Sequence, residues 1–343
     1  MQTERSEGIA VNRIVGVLAI ACFVLAVTAA CGGDDNGSSG ESNKKLNVVT
    51  TVAPLTNIVK NIGGDRIDLT GIIPDGVDSH TFEPRPENAK QLANADIFIM
   101  NGAHLEGSSE KVAEENLKDS SKIYKLAENT LSGDDEKTGF LYDFSFPRSG
   151  GDPNPHLWMN PQYARKYAEL TAGWLSDNDP ANKSYYQDNL QAFDVGINRL
   201  DSAIRAATAT VPQSNRKLLT YHDSWAYWAR QYGWSVIGAI QPSDFSEPSA
   251  QDVARLIDQI KAEKVPAIFG SEVFPSPVTE QIARETSAKY INKLSDDEPP
   301  GDVGAPEHTY VGMLAFDMQQ MIPALGGDAA PFDNFPVQNT YKP

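Results

Sequence analysis

The stretch DPANKSYYQDNLQAFDVGINRLDSAIRAAT, Asp179 to Thr208, decides how the rest of the chain is read. Tyr186, Leu190, Phe193, Ile197, Leu200 and Ile204 recur at alternating spacings of four and three, which draws one apolar stripe along a helix. Asp179 suits the capping position. Pro180 suits the first helical position, where the missing N–H would have no helical partner. At 1.5 Å per residue such a helix extends roughly 45 Å, long enough to lie across the backs of two globular bodies. The stripe runs for fewer than four heptads, so it reads as an internal support rather than a dimer seam, and the chain is expected to be a monomer.

Working outward, both flanks alternate strands with helical patterns. LNVVTT (46–51), IDLTGIIP (67–74) and DIFIMNG (96–102) read as strands, with helices beginning at Pro54, Pro86 and Glu106. Beyond the long helix, KLLTYH (217–222), WSVIGAI (234–240), PAIFG (266–270) and AKYINKL (288–294) repeat the scheme, with helical stretches over Ser224–Tyr232 and Ser249–Glu263. Strands alternating with helices form parallel βα units, so the expected fold is α/β: two lobes with parallel sheets flanked by helices, joined by one long rigid helix. A length of 343 residues is enough for two such bodies. The boundaries expected are a first lobe over 46–178, a linking helix over 179–210 and a second lobe over 211–343.

The N-terminus reads as an export signal. Arg13 precedes the apolar run Ile14 to Ala30, which ends in small residues before Cys31 (TAAC), the pattern of a bacterial lipobox. Residues 1–30 are therefore expected to be a lipoprotein signal peptide. Residues 31–45, rich in Gly, Ser and Asp, are a flexible tether that hangs the mature protein from a membrane by lipid on Cys31. The other cysteine, Cys22, leaves with the signal, so no thiol remains for a disulfide or thiolate site. A formal charge of -17 argues against a nucleic-acid partner and raises the local concentration of cations.

Three histidines then stand out. His80 (DSHTFEP) follows the second strand, His156 sits in NPHLWMNP (154–161) between two stiffening prolines, and His222 (TYHDSW) ends the first strand of the second lobe. Open parallel sheets place ligands at strand carboxyl ends, so facing lobes bring these three imidazoles into one cleft. Neutral imidazoles ligate transition metals, and zinc in particular takes nitrogen and carboxylate donors in tetrahedral geometry. A fourth donor is expected from KLSDDEPPG. Asp296 follows the strand AKYINKL, and by chemistry alone Asp297 and Glu298 stay open. His104 is expected to pack or cap at the cleft edge, His308 to lie on the surface, Glu83 to shape its loop, and Trp225, Tyr227 and Trp228 to fill the second lobe's core. No HExxH or comparable catalytic signature accompanies the histidines, so no enzyme activity is expected.

At these residues the chain resembles the metal-binding lipoproteins, the solute-binding components, of bacterial zinc/manganese ABC importers. The resemblance rests on DSHTFEP, NGAHLE, NPHLWMNP, TYHDSWAYWARQYGW, EPSAQDVARLIDQIKAEKVPAIF and EHTYVGMLAFDMQQMIPAL, in that order, and covers nearly all of the chain after the tether. It implies two four-stranded parallel lobes joined by one long helix. It implies metal ligands at His80, His156, His222 and Asp296, and delivery of a divalent ion, zinc or alternatively manganese, to an importer permease at the outer face of the cell membrane. It also admits a surface adhesin, while a zinc-dependent hydrolase is the alternative outside the family. Two departures are visible. Asn160 stands where the family commonly has Asp, and the insert SGDDEKTGFLYDFSFPRSGGDP carries acids but no histidine, where many zinc-specific members carry a His-rich loop.

Overall fold

Short runs of β-branched and aromatic residues form eight strands, and the computed structural model, which describes residues 44–131, 139–142, 144, 149, 152–241, 248–273 and 277–343, pairs them all in parallel. Cys31, all of the tether before Lys44 and most of the acidic insert lie outside the described residues. In the first lobe, β1 (Leu46–Thr50), β2 (Ile67–Gly71), β3 (Ile97–Met100) and β4 (Ile123–Lys125) lie in the order β2-β1-β3-β4. In the second, β5 (Lys217–Thr220), β6 (Ser235–Ala239), β7 (Ala267–Ser271) and β8 (Lys289–Leu294) repeat that order as β6-β5-β7-β8. Each sheet reverses winding direction beside its first strand, and crevices at such switch points open at the carboxyl ends. β4 escapes sequence reading because three half-buried residues carry too little alternation.

Helices cover the sheets, as parallel strands with two buried faces require. The first lobe carries α1 (Ala53–Gly63), α2 (Pro86–Asn94), α3 (Gly107–Asn116), α4 (Leu126–Thr130) and α5 (Pro161–Asn178). α6 (Lys183–Thr210) is the long helix, and its Tyr186, Phe193, Ile197, Leu200 and Ile204 are buried while Leu190 is half-buried. It packs against α1 and α5 on one side and α10 (Tyr310–Ala324) on the other, so it backs both sheets. One correction concerns its start. Pro180–Asn182 forms a 3-10 turn and the helix begins at Lys183. Asp179 does not cap it, because its carboxylate is taken by the Tyr186 hydroxyl at 2.6 Å and the Asn182 amide at 2.7 Å.

The second lobe adds α7 (Ala226–Tyr232), α8 (Ala250–Glu263) and α9 (Pro277–Thr286). Trp225, Tyr227 and Trp228 are buried as expected, but in a core continuous with the first lobe. The separate second-lobe cluster is smaller, around Leu219, Ile257, Ile268 and Ile282. The C-terminal residues cross back, with Thr340 N donating to Asn61 Oδ1 of α1 at 2.7 Å. Lys44–Pro343 is accordingly one compact unit, and a shared core of this kind resists wide lobe opening.

Candidate metal centre

The loop after β2 turns sharply at Asp78, whose Oδ1 accepts the His80 main-chain N–H at 2.9 Å and whose Oδ2 accepts the Thr81 hydroxyl at 2.9 Å. That Asx-type turn presents the half-buried His80. His156 is fully buried on a short 3-10 turn ahead of α5. It is far in sequence from any strand, yet Asn101, at the carboxyl end of β3, donates from Nδ2 to the Pro155 carbonyl at 2.9 Å and brings it to the sheet's edge. His222 lies two residues past the end of β5 and is 1% exposed.

These three side chains converge. His80 Nε2 lies 3.1 Å from His156 Nε2 and 3.3 Å from His222 Nε2; the His222 ring stands edge to face with the other two, and the His80 and His156 rings are tilted at 57°. Asp296 and Asp297 both approach His222 closely enough to complete a donor set with it. Asp296 Oδ2 lies 3.0 Å from His222 Nδ1 and also accepts from Ser224 Oγ. Asp297 Oδ2 accepts from Ser79 Oγ, across the cleft, at 3.2 Å, and its Oδ1 is buried with no hydrogen-bond partner among the described residues. The backbone of this acidic turn is gripped by Glu272, whose Oε1 accepts the N–H groups of Asp296, Asp297 and Glu298 at 2.8, 3.0 and 3.1 Å.

Electrostatics divides the histidines. Desolvation, then the charge on His222, holds His80 and His156 well below the ordinary histidine range, so both are neutral near pH 7. Desolvation also works against a charged His222, but Asp296 and then Asp297 outweigh it and push its pKa up to about 9. Burial works to raise Asp296, yet His222 and Ser224 hold it below the carboxylate range, whereas for Asp297 burial prevails and lifts it to about 7. Three convergent nitrogens backed by buried acids form a site for a cation that prefers nitrogen to oxygen.

The remaining sequence candidates fall elsewhere. His104 is exposed, 3.6 Å from Asp152 and outside the cluster, so it does not pack at the cleft edge. His308 is not an open surface residue: its half-buried ring faces Asp75 of the first lobe at 3.5 Å. Glu83 accepts from Ser108, in keeping with a loop-shaping role. Asn160 caps α5 through Gln162 N, which explains an amide there without any metal contact. Sequence reasoning missed Asn154, Trp158 and Glu272. The first two stand inside NPHLWMNP and the third beside β7, but only their hydrogen bonds reveal their part.

Comparison with known proteins places these features. The family model for ZnuA, the periplasmic zinc-uptake complex component A, matches residues 48–324. The chain is 27% identical to the metal ABC transporter substrate-binding lipoprotein FimA of Streptococcus parasanguinis, over 92% of this chain and 99% of that protein. It is 26% identical, with the same coverage, to the manganese ABC transporter substrate-binding lipoprotein PsaA of Streptococcus pneumoniae. Among solved structures, the periplasmic zinc-binding protein TroA of Treponema pallidum superposes with a TM-score of 0.74 at 28% identity, covering 82% of this chain and 99% of that one.

Proposed function

This chain belongs to the ZnuA family of zinc-uptake components, and from that premise we propose that it captures zinc outside the cytoplasm and delivers it to an ABC importer permease. It is a metal-capturing solute-binding protein. Its ligands in this reading are His80, His156, His222 and Asp296. The observation that carries the reading is the convergence of three imidazole nitrogens, with His80 Nε2 3.1 Å from His156 Nε2 and 3.3 Å from His222 Nε2, while the buried Asp296 and Asp297 group around His222.

Three imidazoles and one carboxylate fill a tetrahedral zinc sphere, which suits storage rather than hydrolysis, where a coordination position stays open for water. The role assigned is therefore carriage, not catalysis, with Cys31 as the lipid-bearing residue and the chain acting as a monomer. Residues 46–178 and 211–343 supply the ligands from two sides, and 179–210 braces them. Manganese is a second reading, because both Asp296 and Asp297 stand within reach and extra oxygen donors favour that ion. Calorimetric zinc titration tests the ligand set. Replacing His80, His156, His222 or Asp296 by Ala is expected to weaken binding at least about 100-fold, while His104→Ala leaves it unchanged; equal losses at His104 and His156 would refute the assignment.

A further inference from the structure

Asp296 is secured within its own lobe. Its main-chain N–H goes to Glu272, and the neighbouring Ser295 N–H goes to Asp317 Oδ1 of α10 at 2.7 Å. Those bonds fix the acidic turn to the second sheet, but not its distance from the first-lobe histidines. Besides the Ser79–Asp297 contact, one side chain ties Asp296 itself to the segment that carries His156. Trp158, fully buried two residues after His156, places its ring edge-on to the His156 imidazole, with centroids 5.1 Å apart and planes at 68°. Its indole Nε1–H donates to the carbonyl oxygen of Asp296 at 2.8 Å. Its own carbonyl accepts the Tyr310 hydroxyl at 2.7 Å, so the backbone that carries the indole is tied to the second lobe as well.

We infer that Trp158 is a positioning residue of the metal centre, a rigid strut that sets the spacing between Asp296 and His156 and so tunes the site toward an ion held in a compact four-coordinate sphere. An indole suits the task. It is stiff, it has two side-chain torsions, and its single N–H leaves one way to satisfy the contact. Zinc closed in by four protein ligands sits in a compact tetrahedron with short bonds, whereas manganese takes a larger, oxygen-rich shell. Loosening the strut costs zinc more than manganese. This rests on the metal centre proposed above.

The test is Trp158→Phe in the full chain, which keeps an aromatic ring and deletes the N–H. Zinc and manganese affinities are measured by chelator competition, beside Trp228→Phe, the same truncation of an equally buried indole whose Nε1 has no hydrogen-bond partner among the described residues. The expected result is a zinc affinity lowered about 10- to 100-fold, a smaller loss for manganese, and no change of either in Trp228→Phe. Zinc and manganese falling by the same factor, or zinc unchanged, would overturn the inference while leaving the centre standing. Wild-type protein that binds neither ion would remove the centre and this inference together. If Trp158→Phe does not fold, wild-type protein labelled with ¹⁵N decides. The Trp158 indole resonance, assigned through its proximity to the His156 ring, is expected to shift and exchange more slowly with zinc, and an unmoved resonance counts against the strut.

Discussion

Asn154 joins His156 to the opposite lobe: its Nδ2 donates to the Asp223 carbonyl at 2.6 Å, and its Oδ1 lies 2.9 Å from His156 Nδ1. The first contact fixes which end of the amide is oxygen, because a carbonyl accepts only from the nitrogen. The oxygen therefore faces the ring, and Nδ1 must carry the proton. That leaves the Nε2 lone pair aimed at His80 and the metal position. One amide thus sets the tautomer of a first-lobe ligand and anchors it beside His222 of the second.

Asn154→Ala is accordingly expected to lower zinc affinity about 10- to 100-fold, the usual cost of losing a partner that orients a ligating histidine. Asn154→Asp restores an acceptor for Nδ1 but sets a carboxylate oxygen against the Asp223 carbonyl, so it recovers only part of the loss. Chelator competition on both variants checks this, and wild-type affinity in Asn154→Ala would show that the ring is held by other contacts.

The His222 pKa of about 9 makes binding proton-linked. His222 is protonated at pH 7 in the folded protein, while His80 and His156, pushed below the ordinary range, are already neutral. A metal arriving at His222 therefore displaces about one proton. Apparent affinity is expected to rise about tenfold per pH unit from pH 7 and to level off above pH 9. The same raised pKa stabilises the metal-free fold fully below the ordinary histidine value of 6.5, a contribution lost as pH climbs through about 9. Calorimetry at pH 7 in buffers of differing ionisation enthalpy counts the protons, and a count of zero would contradict the charge assigned to His222.

Much of this was legible in the sequence because it was written in period and spacing. The stripe from Tyr186 to Ile204 gave the bracing helix, and β-branched runs gave seven of the eight strands. His80 and His222 could be nominated because strand ends converge in parallel sheets, and His156 because two prolines stiffen its loop. The supporting contacts could not. Asn154 with Asp223 and Trp158 with Asp296 link residues 69 and 138 positions apart, and no local pattern encodes such pairs. Asp179 misled for a related reason: its capping chemistry is real, but a tyrosine seven residues on competes for the same carboxylate.

Anchoring depends on residues outside the described structure and is tested in cells. If lipid on Cys31 holds the protein at the membrane, Cys31→Ser is expected to shift it into the soluble or uncleaved precursor pool, since a single anchor supplies the attachment. Fractionation and intact mass check this. Unchanged membrane association, with no lipid mass on Cys31 in the wild type, would defeat the lipoprotein reading.

The choice between zinc and manganese turns on the count of nitrogen donors against oxygen donors. Three imidazoles meet at His80, a donor set that places zinc above manganese in the divalent series and fits a compact tetrahedron. The oxygen side is constrained. Asp296 Oδ2 already engages His222 and Ser224, and desolvation raises Asp297 to about 7, so part of its population is protonated and a poor ligand at neutral pH. Recruiting Asp297 for manganese means ionising it first, which favours manganese progressively as pH rises. Metal-free protein titrated with both ions is therefore expected to bind zinc more tightly at pH 7, with the gap narrowing toward pH 8.5. Manganese binding more tightly than zinc at pH 7 would overturn the assignment, and Asp297→Asn would then be the variant to abolish that preference.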